Sequence, residues 1–222
     1  MIAIKEMHTS DIDRVAEIDR SEHVTLAYAC RDGKLESEQV DWLVPNWPAG
    51  GSSEHSVQAK MDAWRPYLEQ GGTLFGALDG DRLVGLAIYR PKLTPTTAQL
   101  AVLHVSNGYR RKGLAARLTA ETVRLARQDG AQDLYVSATP SQSAVGFYQS
   151  QGFQLIDEPH PELYALEPED IHMIKTLPGA TMKPACAGQQ SSTSVQTGAD
   201  ARTERAEVCG PPEARMTGEY QR

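Results

Sequence analysis

Cysteine is scarce, and its spacing carries no pattern. The three cysteines, Cys30, Cys186 and Cys209, lie far apart and are odd in number. They encode neither a disulfide framework nor a CxxC-type zinc or redox site. No metal is expected, and a reducing cytoplasm is the compartment that fits. Long apolar runs are also missing. No stretch approaches the ~20 residues that cross a bilayer, and the opening MIAIKEMHTSDID meets acidic side chains too early for a secretory leader. No membrane partner is expected. Basic charge is in deficit: 22 Lys and Arg face 29 Asp and Glu, a formal net charge of -7. That balance argues against nucleic acid as a partner, because phosphate contacts need a basic face. The local exception is the cluster Arg110, Arg111 and Lys112.

The end of the chain lacks the means to form a core. Residues 179–222 contain no Leu, Ile, Phe or Trp and only two Val, and their five basic and five acidic side chains cancel. Such a segment cannot bury enough apolar surface to offset the entropy of ordering it. It reads as a disordered tail behind one folded domain, residues 1–178.

Within that domain the pattern alternates between strand and helix periods. Ile2 to Met7 reads as a strand. A helix follows, capped by Thr9 or Ser10, with Ile12, Val15, Ala16 and Ile18 inward. Ser21 to Ser53 has no clear period and reads as irregular, broken by Pro45, Pro48 and Gly50-Gly51. Ser53 to Gln70 is helical, with Pro66 expected to kink it or end it early. Thr73 to Leu78 and Arg82 to Tyr89 form a hairpin through Asp79-Gly80, and Thr97 to Val105 adds a third strand. A helix starts at Leu114 and stops at Gly130. Then come a strand at Leu134 to Ala138, a helix at Ser141 to Ser150, a strand at Phe153 to Ile156 and a last strand at Asp170 to Leu177.

The chemistry concentrates in Gln99 to Ala116, QLAVLHVSNGYRRKGLAA. An apolar strand enters a turn with Gly108, Arg110, Arg111, Lys112 and Gly113, and a helix leaves it. Successive backbone N–H groups in such a turn, with the helix N-terminus behind them, form a phosphate site. A Walker loop is excluded, because Leu114-Ala115 stands where Lys and Ser/Thr are needed, and the dinucleotide fingerprint G-x-G-x-x-G is absent. What is met is [R/Q]-x-x-G-x-[G/A], at Arg110, Gly113 and Ala115. A second segment follows, with Ser141, Ala144, Phe147, Tyr148, Gly152 and Phe153 in the spacing N-x-x-A-x-x-[FL]-Y-x-x-x-G-F, Ser replacing the Asn.

Together the two segments resemble the GNAT acetyltransferase superfamily. The resemblance implies a mixed α/β fold: a central mixed sheet with an antiparallel N-terminal meander, a splayed parallel strand pair and flanking helices. It implies acetyl-coenzyme A as co-substrate. Pantetheine would lie along Leu103, His104 and Val105, and pyrophosphate would sit on the backbone of Arg111, Lys112, Gly113, Leu114, Ala115 and Ala116. Ser141 would either touch the pantetheine or cap its helix. The activity implied is transfer of acetyl to a primary amine of a small molecule or peptide, by direct attack in a ternary complex. The rival reading is a non-catalytic acyl-coenzyme A sensor. The resemblance leaves room for a homodimer.

In that chemistry a backbone N–H near Val105 would steady the oxyanion, and the Tyr148 phenol would protonate the departing thiolate. The position where relatives often carry a base is Gln99, which would act by holding a water. His104 is one residue out of phase with Gln99, so it is expected on the opposite face unless a bulge rotates it. Glu22 and His23 are further candidates for the base, and His172 is expected to be structural. Trp42, Trp47 and Tyr28 fall where the acceptor pocket is expected, and Trp64 is expected to pack over the sheet. Removing residues 179–222 should leave the melting temperature and coenzyme A binding almost unchanged; a large loss of stability by calorimetry would place the tail on the domain.

Overall fold

The structure is a computed structural model that describes residues 1–49 and 55–178. The proposed tail therefore lies outside the described residues, as do Gly50-Gly51 and the Ser53 start of the expected helix. A seven-stranded sheet runs in the order β1-β4-β5-β6-β7-β9-β8, beside a separate ribbon of β2 and β3. The strands are β1 (Ala3–Met7), β2 (Glu22–Arg31), β3 (Lys34–Val44), β4 (Thr73–Asp79), β5 (Arg82–Arg90), β6 (Thr97–Val105), β7 (Asp133–Ala138), β8 (Gln154–Leu155) and β9 (Ile171–Thr176). The helices are α1 (Val57–Glu69), α2 (Leu114–Gln128), α3 (Gln142–Ser150) and α4 (Pro161–Leu166). All pairings in the large sheet are antiparallel except β6 with β7. This is the mixed sheet with an antiparallel meander that the motifs implied.

Each face of the sheet carries its own core. On one face α2 and α3 bury Leu114, Leu118, Val145 and Tyr148 against Ala87, Tyr89, Ala98 and Leu100. On the other, the N-terminal segment and α1 bury Ile12, Val15, Ile18, Val57 and Leu68 against Leu74, Leu86, Ile88 and Val102. The Tyr89 hydroxyl donates to Asp129 at 2.7 Å and ties the end of α2 to β5.

Several local expectations are corrected. Thr9–Glu17 is a 3₁₀ helix, and its N-cap is His8 rather than Thr9 or Ser10. Its buried residues Ile12, Val15 and Ile18 recur every third position, which three residues per turn align on one face. The stretch read as irregular holds the β2–β3 ribbon. Its turn is Asp32-Gly33, both left-handed at φ 49° and 71°, the twist a two-residue hairpin needs. Pro66 does not end α1 early. The helix continues to Glu69 because the final turn is bonded through Gln70 N–H to Pro66 C=O, and Leu68 is anchored in the core. The short helix α4, with Pro161 at its start, was not anticipated. β9 is inserted between β7 and β8, so the last strand in sequence is not the last in space.

Gly72 shows how tightly α1 closes on the sheet. A Cβ there would lie 2.5 Å from the Tyr67 carbonyl oxygen and 2.7 Å from that of Tyr89, both backbone. Neither can swing aside. Gly72→Ala should therefore destabilise the fold by about 1–3 kcal/mol, read by chemical denaturation, although alanine normally favours order over glycine.

Candidate active site

The site is made by two strands that part. β6 and β7 run in register over Thr97–Gln99 with Asp133–Tyr135, and beyond that β7 pairs with β9. On its other side β6 stays bonded to β5, but the register shifts between Ile88 and Tyr89, leaving Ala101 as the extra residue of a bulge. The bulge changes which way the strand faces. Gln99 opposes Arg90, whereas beyond the bulge Val102 opposes Ile88 and His104 opposes Leu86. Since cross-strand partners and alternate residues share a face, His104 returns to the face of Gln99. This is the case, allowed for in the sequence reading, in which a bulge rotates His104 from the opposite face.

The same bulge sets the backbone. Ser106 N–H donates to the Val84 carbonyl at 2.9 Å. Alternation along an antiparallel pair makes His104–Leu86 the next bonded pair. Leu103 and Val105 therefore turn their N–H groups away from β5, into the opening beside β7. A linear ligand with amide groups can pair there as a further strand would.

Behind the end of β6 lies the turn. Arg111 and Gly113 are both left-handed, at φ 60° and 76°, and such alternation around Lys112 aims successive N–H groups into one concavity. The first α2 bond runs from Arg117 N–H to the Gly113 carbonyl at 3.1 Å. The N–H groups of Leu114, Ala115 and Ala116 are thus left without intrahelical acceptors, at the positive end of the helix dipole. The side chains brace this loop more than they face a ligand. Arg110 donates to the carbonyls of Val105 and Arg20 at 3.2 and 2.9 Å and ion-pairs with Glu22 at 3.2 Å. Lys112 bonds the Gly108 carbonyl at 2.9 Å and lies over the Tyr109 ring. Tyr109 donates to Asp79 at 2.9 Å.

The parted strands open into a cleft of about 380 Å³. Its floor is Leu100 to His104 of β6 and Ser137 to Pro140 at the end of β7. Tyr148 and Ala144 reach it from α3, Trp47, Lys60 and Trp64 from the α1 side, and Glu167, Glu169 and Asp170 from the segment before β9. His104 stands in an aromatic corner, its ring 4.8 Å from Trp47 edge to face and 5.7 Å from Trp64 in a stacked arrangement. Trp64, expected only to pack, is a wall of the cleft. Tyr148 is 7% exposed between Phe147 and Phe153. Burial pushes its pKa well above the ordinary phenol value, with the charges of Asp170 and Glu167 adding to the shift. It is a neutral phenol, able to donate, at any physiological pH.

Other candidates are placed elsewhere. Gln99 does not line the cleft. It is 3% exposed in the section of β6 still paired with β7, and its carbonyl oxygen accepts from Arg90 at 3.3 Å. Arg90 in turn pairs with Glu162 of α4 at 3.1 Å. Gln99 thus closes the base of the split, and the water-holding role expected of it has no geometry behind it. Ser141 caps α3, its hydroxyl accepting from Ala144 N–H at 3.3 Å, and it does not line the cleft. Glu22 is committed to Arg110. His23 pairs with Asp41 on the exposed ribbon at 2.6 Å. Tyr28 packs against the α2–α3 core and Trp42 lies on β3, both apart from the cleft. His172 is structural as expected: its Nδ1 lies 2.8 Å from the Tyr135 hydroxyl, and burial lowers its pKa. Among the described residues no His, Cys, Asp and Glu cluster suits a metal. What sequence reading missed is the acidic wall at Glu167 to Asp170, which shows no motif and gains its place only through α4.

A strand pair parted at a bulge, an N–H cradle behind it and a phenol across the gap define an acyl-coenzyme A transferase fold. The chain belongs to the GNAT acetyltransferases: the family model described as acetyltransferase (GNAT) domain matches residues 38–166. Among characterised relatives it is 32% identical to N-acetyltransferase 8 of Mus musculus over 148 residues, 63% of this chain and 65% of that protein. It is 30% identical to N-alpha-acetyltransferase 30 of Schizosaccharomyces pombe over 83 residues, 36% of this chain and 55% of that protein. The matches thus span about two thirds or less of the relatives' own length. Among solved structures, nourseothricin acetyltransferase aligns over 80% of this chain and 99% of its own, with TM-score 0.60 and 18% identity. A streptothricin acetyltransferase from Bacillus anthracis in complex with acetyl coenzyme A aligns over 78% and 96%, with TM-score 0.56 and 18% identity. At such identity the likeness is one of fold.

Gly113 separates space from charge. A Cβ there meets nothing within 4 Å, yet the φ of 76° is left-handed. Gly113→Ala should cost about 1 kcal/mol of backbone strain and leave the coenzyme A thermal shift in place. Gly113→Glu, which sets a carboxylate at the cradle, should abolish that shift; its persistence by calorimetry would move the phosphate site elsewhere.

Proposed function

We propose that this protein transfers the acetyl group of acetyl-coenzyme A to a primary amine, of a small molecule or peptide, by direct attack within a ternary complex. The observation that carries the proposal is that one cleft joins the parted strand, Tyr148 and His104, with the left-handed turn and the start of α2 following directly on the end of that strand. Leu103 and Val105 would pair with pantetheine amides, and the N–H groups from Arg111 to Ala116 would hold the pyrophosphate. Bound there, the co-substrate supplies an acetyl thioester. A neutral amine held close to its carbonyl carbon loses much of the entropic barrier to attack.

The proton traffic follows from the two faces. Forming the C–N bond leaves a positive nitrogen that must shed a proton, and breaking the C–S bond leaves a thiolate that must gain one. His104 is on the acceptor face, and an imidazole exchanges protons near neutral pH. We assign it the amine proton, directly or through one water. Tyr148 is on the α3 face beside the thioester path, and its neutral phenol gives the thiolate its proton. The Val105 N–H, directed into the opening, is the donor for the carbonyl oxygen as charge develops.

The test is a pair of substitutions at Tyr148. Tyr148→Phe keeps the ring and its packing and should lower turnover by ~10²–10⁴, with little change in melting temperature or coenzyme A affinity. Tyr148→Ala should also destabilise the fold through a cavity. Near-normal turnover by the Phe variant, with chemistry rate-limiting, would transfer the acid role to water. Coenzyme A binding without turnover of any amine would favour the acyl-coenzyme A sensor.

A further inference from the structure

The split between β6 and β7 has two lips, and pantetheine on Leu103 and Val105 takes only the β6 side. The β7 lip is set by alternation. Leu177 N–H donates to the Gln132 carbonyl at 2.7 Å, and Asp133 N–H reaches the Thr96 carbonyl, just before β6, at 3.3 Å. Along a strand the backbone groups of successive residues turn to opposite neighbours. Leu134, Val136 and Ala138 therefore face β9, while Asp133, Tyr135 and Ser137 face β6. The cross-strand pair of Ser137 with His172 is accordingly the non-bonded kind, in which side chains come close: Ser137 Oγ lies 3.4 Å from His172 Nδ1.

On β6 Ser137 meets no partner. The parallel register ends at Gln99 with Tyr135. A further rung would set Ser137 N–H on the Leu100 carbonyl and Val102 N–H on the Ser137 carbonyl, but past the bulge Val102 is paired with Ile88 and turns its N–H to β5. Both backbone groups of Ser137 are left open in the floor of the cleft, which this residue lines. Ala138 is paired with Ile171 of β9, and the Thr139 and Pro140 carbonyls accept from Ser141 and Tyr28 N–H at 2.7 and 2.9 Å. Among the described residues of the β7 lip, Ser137 is thus the one with both its N–H and its carbonyl open. Backbone groups shielded from bulk water are nearly always paired. Water can serve these two between turnovers, but a substrate that displaces it must return both bonds.

The first residue of a peptide carries the matching groups. In a bonded antiparallel pair two residues exchange both N–H···O=C bonds, and an α-amine with an amide carbonyl beside it can do so with Ser137. Granting the acetyltransferase reading on which this rests, we propose that the acceptor is the N-terminal residue of a peptide, docked on the Ser137 backbone with its amine donating to the Ser137 carbonyl and its own carbonyl accepting from Ser137 N–H. The nitrogen keeps its lone pair for the thioester carbon on the opposite lip. Once the C–N bond has formed, the proton not held by Ser137 leaves toward His104, while the C–S bond breaks and Tyr148 protonates the thiolate. A simple alkylamine could make the first bond only and would strand the Ser137 N–H. A free amino acid would set a carboxylate on a single neutral donor, which cannot balance its charge. Ser137 is then a specificity residue through its main chain.

The experiment uses the full chain and acetyl-coenzyme A, with release of free thiol as the readout and rates expressed per neutral amine. Dipeptides and α-amino amides are compared with the free amino acids of the same first residue and with alkylamines that carry the same side chain and no carbonyl. They are also compared with β-amino amides, in which a methylene moves the carbonyl out of the pairing position. The dipeptides and α-amino amides should exceed all three in kcat/KM by about tenfold or more, the worth of one or two neutral hydrogen bonds. The alkylamine is the stronger nucleophile once neutral, so this preference must appear against its chemical advantage. Ser137→Pro removes the N–H, which neither neighbouring strand uses, and should narrow the amide-to-alkylamine ratio by about tenfold. Melting temperature and the acetyl-coenzyme A thermal shift establish that this variant is folded. Turnover of alkylamines, β-amino amides or free amino acids equal to or above the α-amino amides overturns the inference on the wild-type protein alone, and leaves the acetyltransferase reading standing. An unchanged ratio in a folded Ser137→Pro variant also overturns it. Failure of every amine despite acetyl-coenzyme A binding would remove both.

Discussion

One extra residue in β6 governs the functional half of this molecule. Antiparallel pairing with β5 forces side chains to alternate strictly, and Ala101 interrupts that alternation. Upstream, Ala98 and Leu100 face the α2–α3 core. Downstream, Val102 and His104 face the α1 side. The bulge also bends the strand away from β7 at the point where their register stops. A single insertion thus coincides with the opening of the cleft, frees backbone N–H groups of β6 from β5 and sets the His104 imidazole in the cleft lining. Deleting Ala101 without other change to the pairing with β5 would rotate His104 to the opposite face.

The split needs support at both ends, and the polar side chains supply it. At the closed end Gln99, Arg90 and Glu162 form a chain that links β6, β5 and α4. At the open end Arg110 holds the carbonyls of Val105 and Arg20 and pairs with Glu22. Asn107 N–H reaches the Asp19 carbonyl at 2.8 Å. The ribbon adds a third brace: Tyr28 N–H donates to the Pro140 carbonyl at 2.9 Å, and Ala27 bridges Ser141. The N-terminal segment and the ribbon therefore clamp the ends of both parted strands. Gln99, Arg110, Glu22 and Ser141, all singled out in the sequence, make hydrogen bonds or ion pairs within the protein at the two ends of the split.

The architecture was legible where local chemistry decides it. Asp79-Gly80, the apolar run of β6, the Gly113–Ala116 turn and the Phe147-Tyr148 helix each carry their signal within a few residues, and each forms the element read from it. The ribbon was not legible, although Asp32-Gly33 is the same kind of turn signal as Asp79-Gly80. Its second strand is rich in Glu, Gln and Ser, residues with weak strand preference, and only Val24 and Ala27 of the ribbon are buried. The position of His104 was not legible either. Its face depends on a bulge set by pairing with β5, and nothing in LAVLHV marks Ala101 as the residue to skip. The acidic wall is a third case, because Glu167 to Asp170 enter the site through the docking of α4 by Glu162 on Arg90, a contact between distant segments.

These omissions share a cause that bears on function. Short-range signals mark the turn before α2, the apolar strand β6 and the Phe147-Tyr148 helix. The rest of the cleft lining comes instead from pieces far apart in sequence, Arg20, Trp47, Lys60, His104 and Glu167 to Asp170, none of them within a recognisable spacing. Each contributes one group, and only the tertiary fold sets cations against carboxylates across one opening. The net charge of -7 says nothing of this, since it sums charges that the fold separates. The field in the cleft depends on which charges are near and how far water is excluded. An acidic protein can accordingly hold basic side chains such as Arg20 and Lys60 in the same cleft as carboxylates.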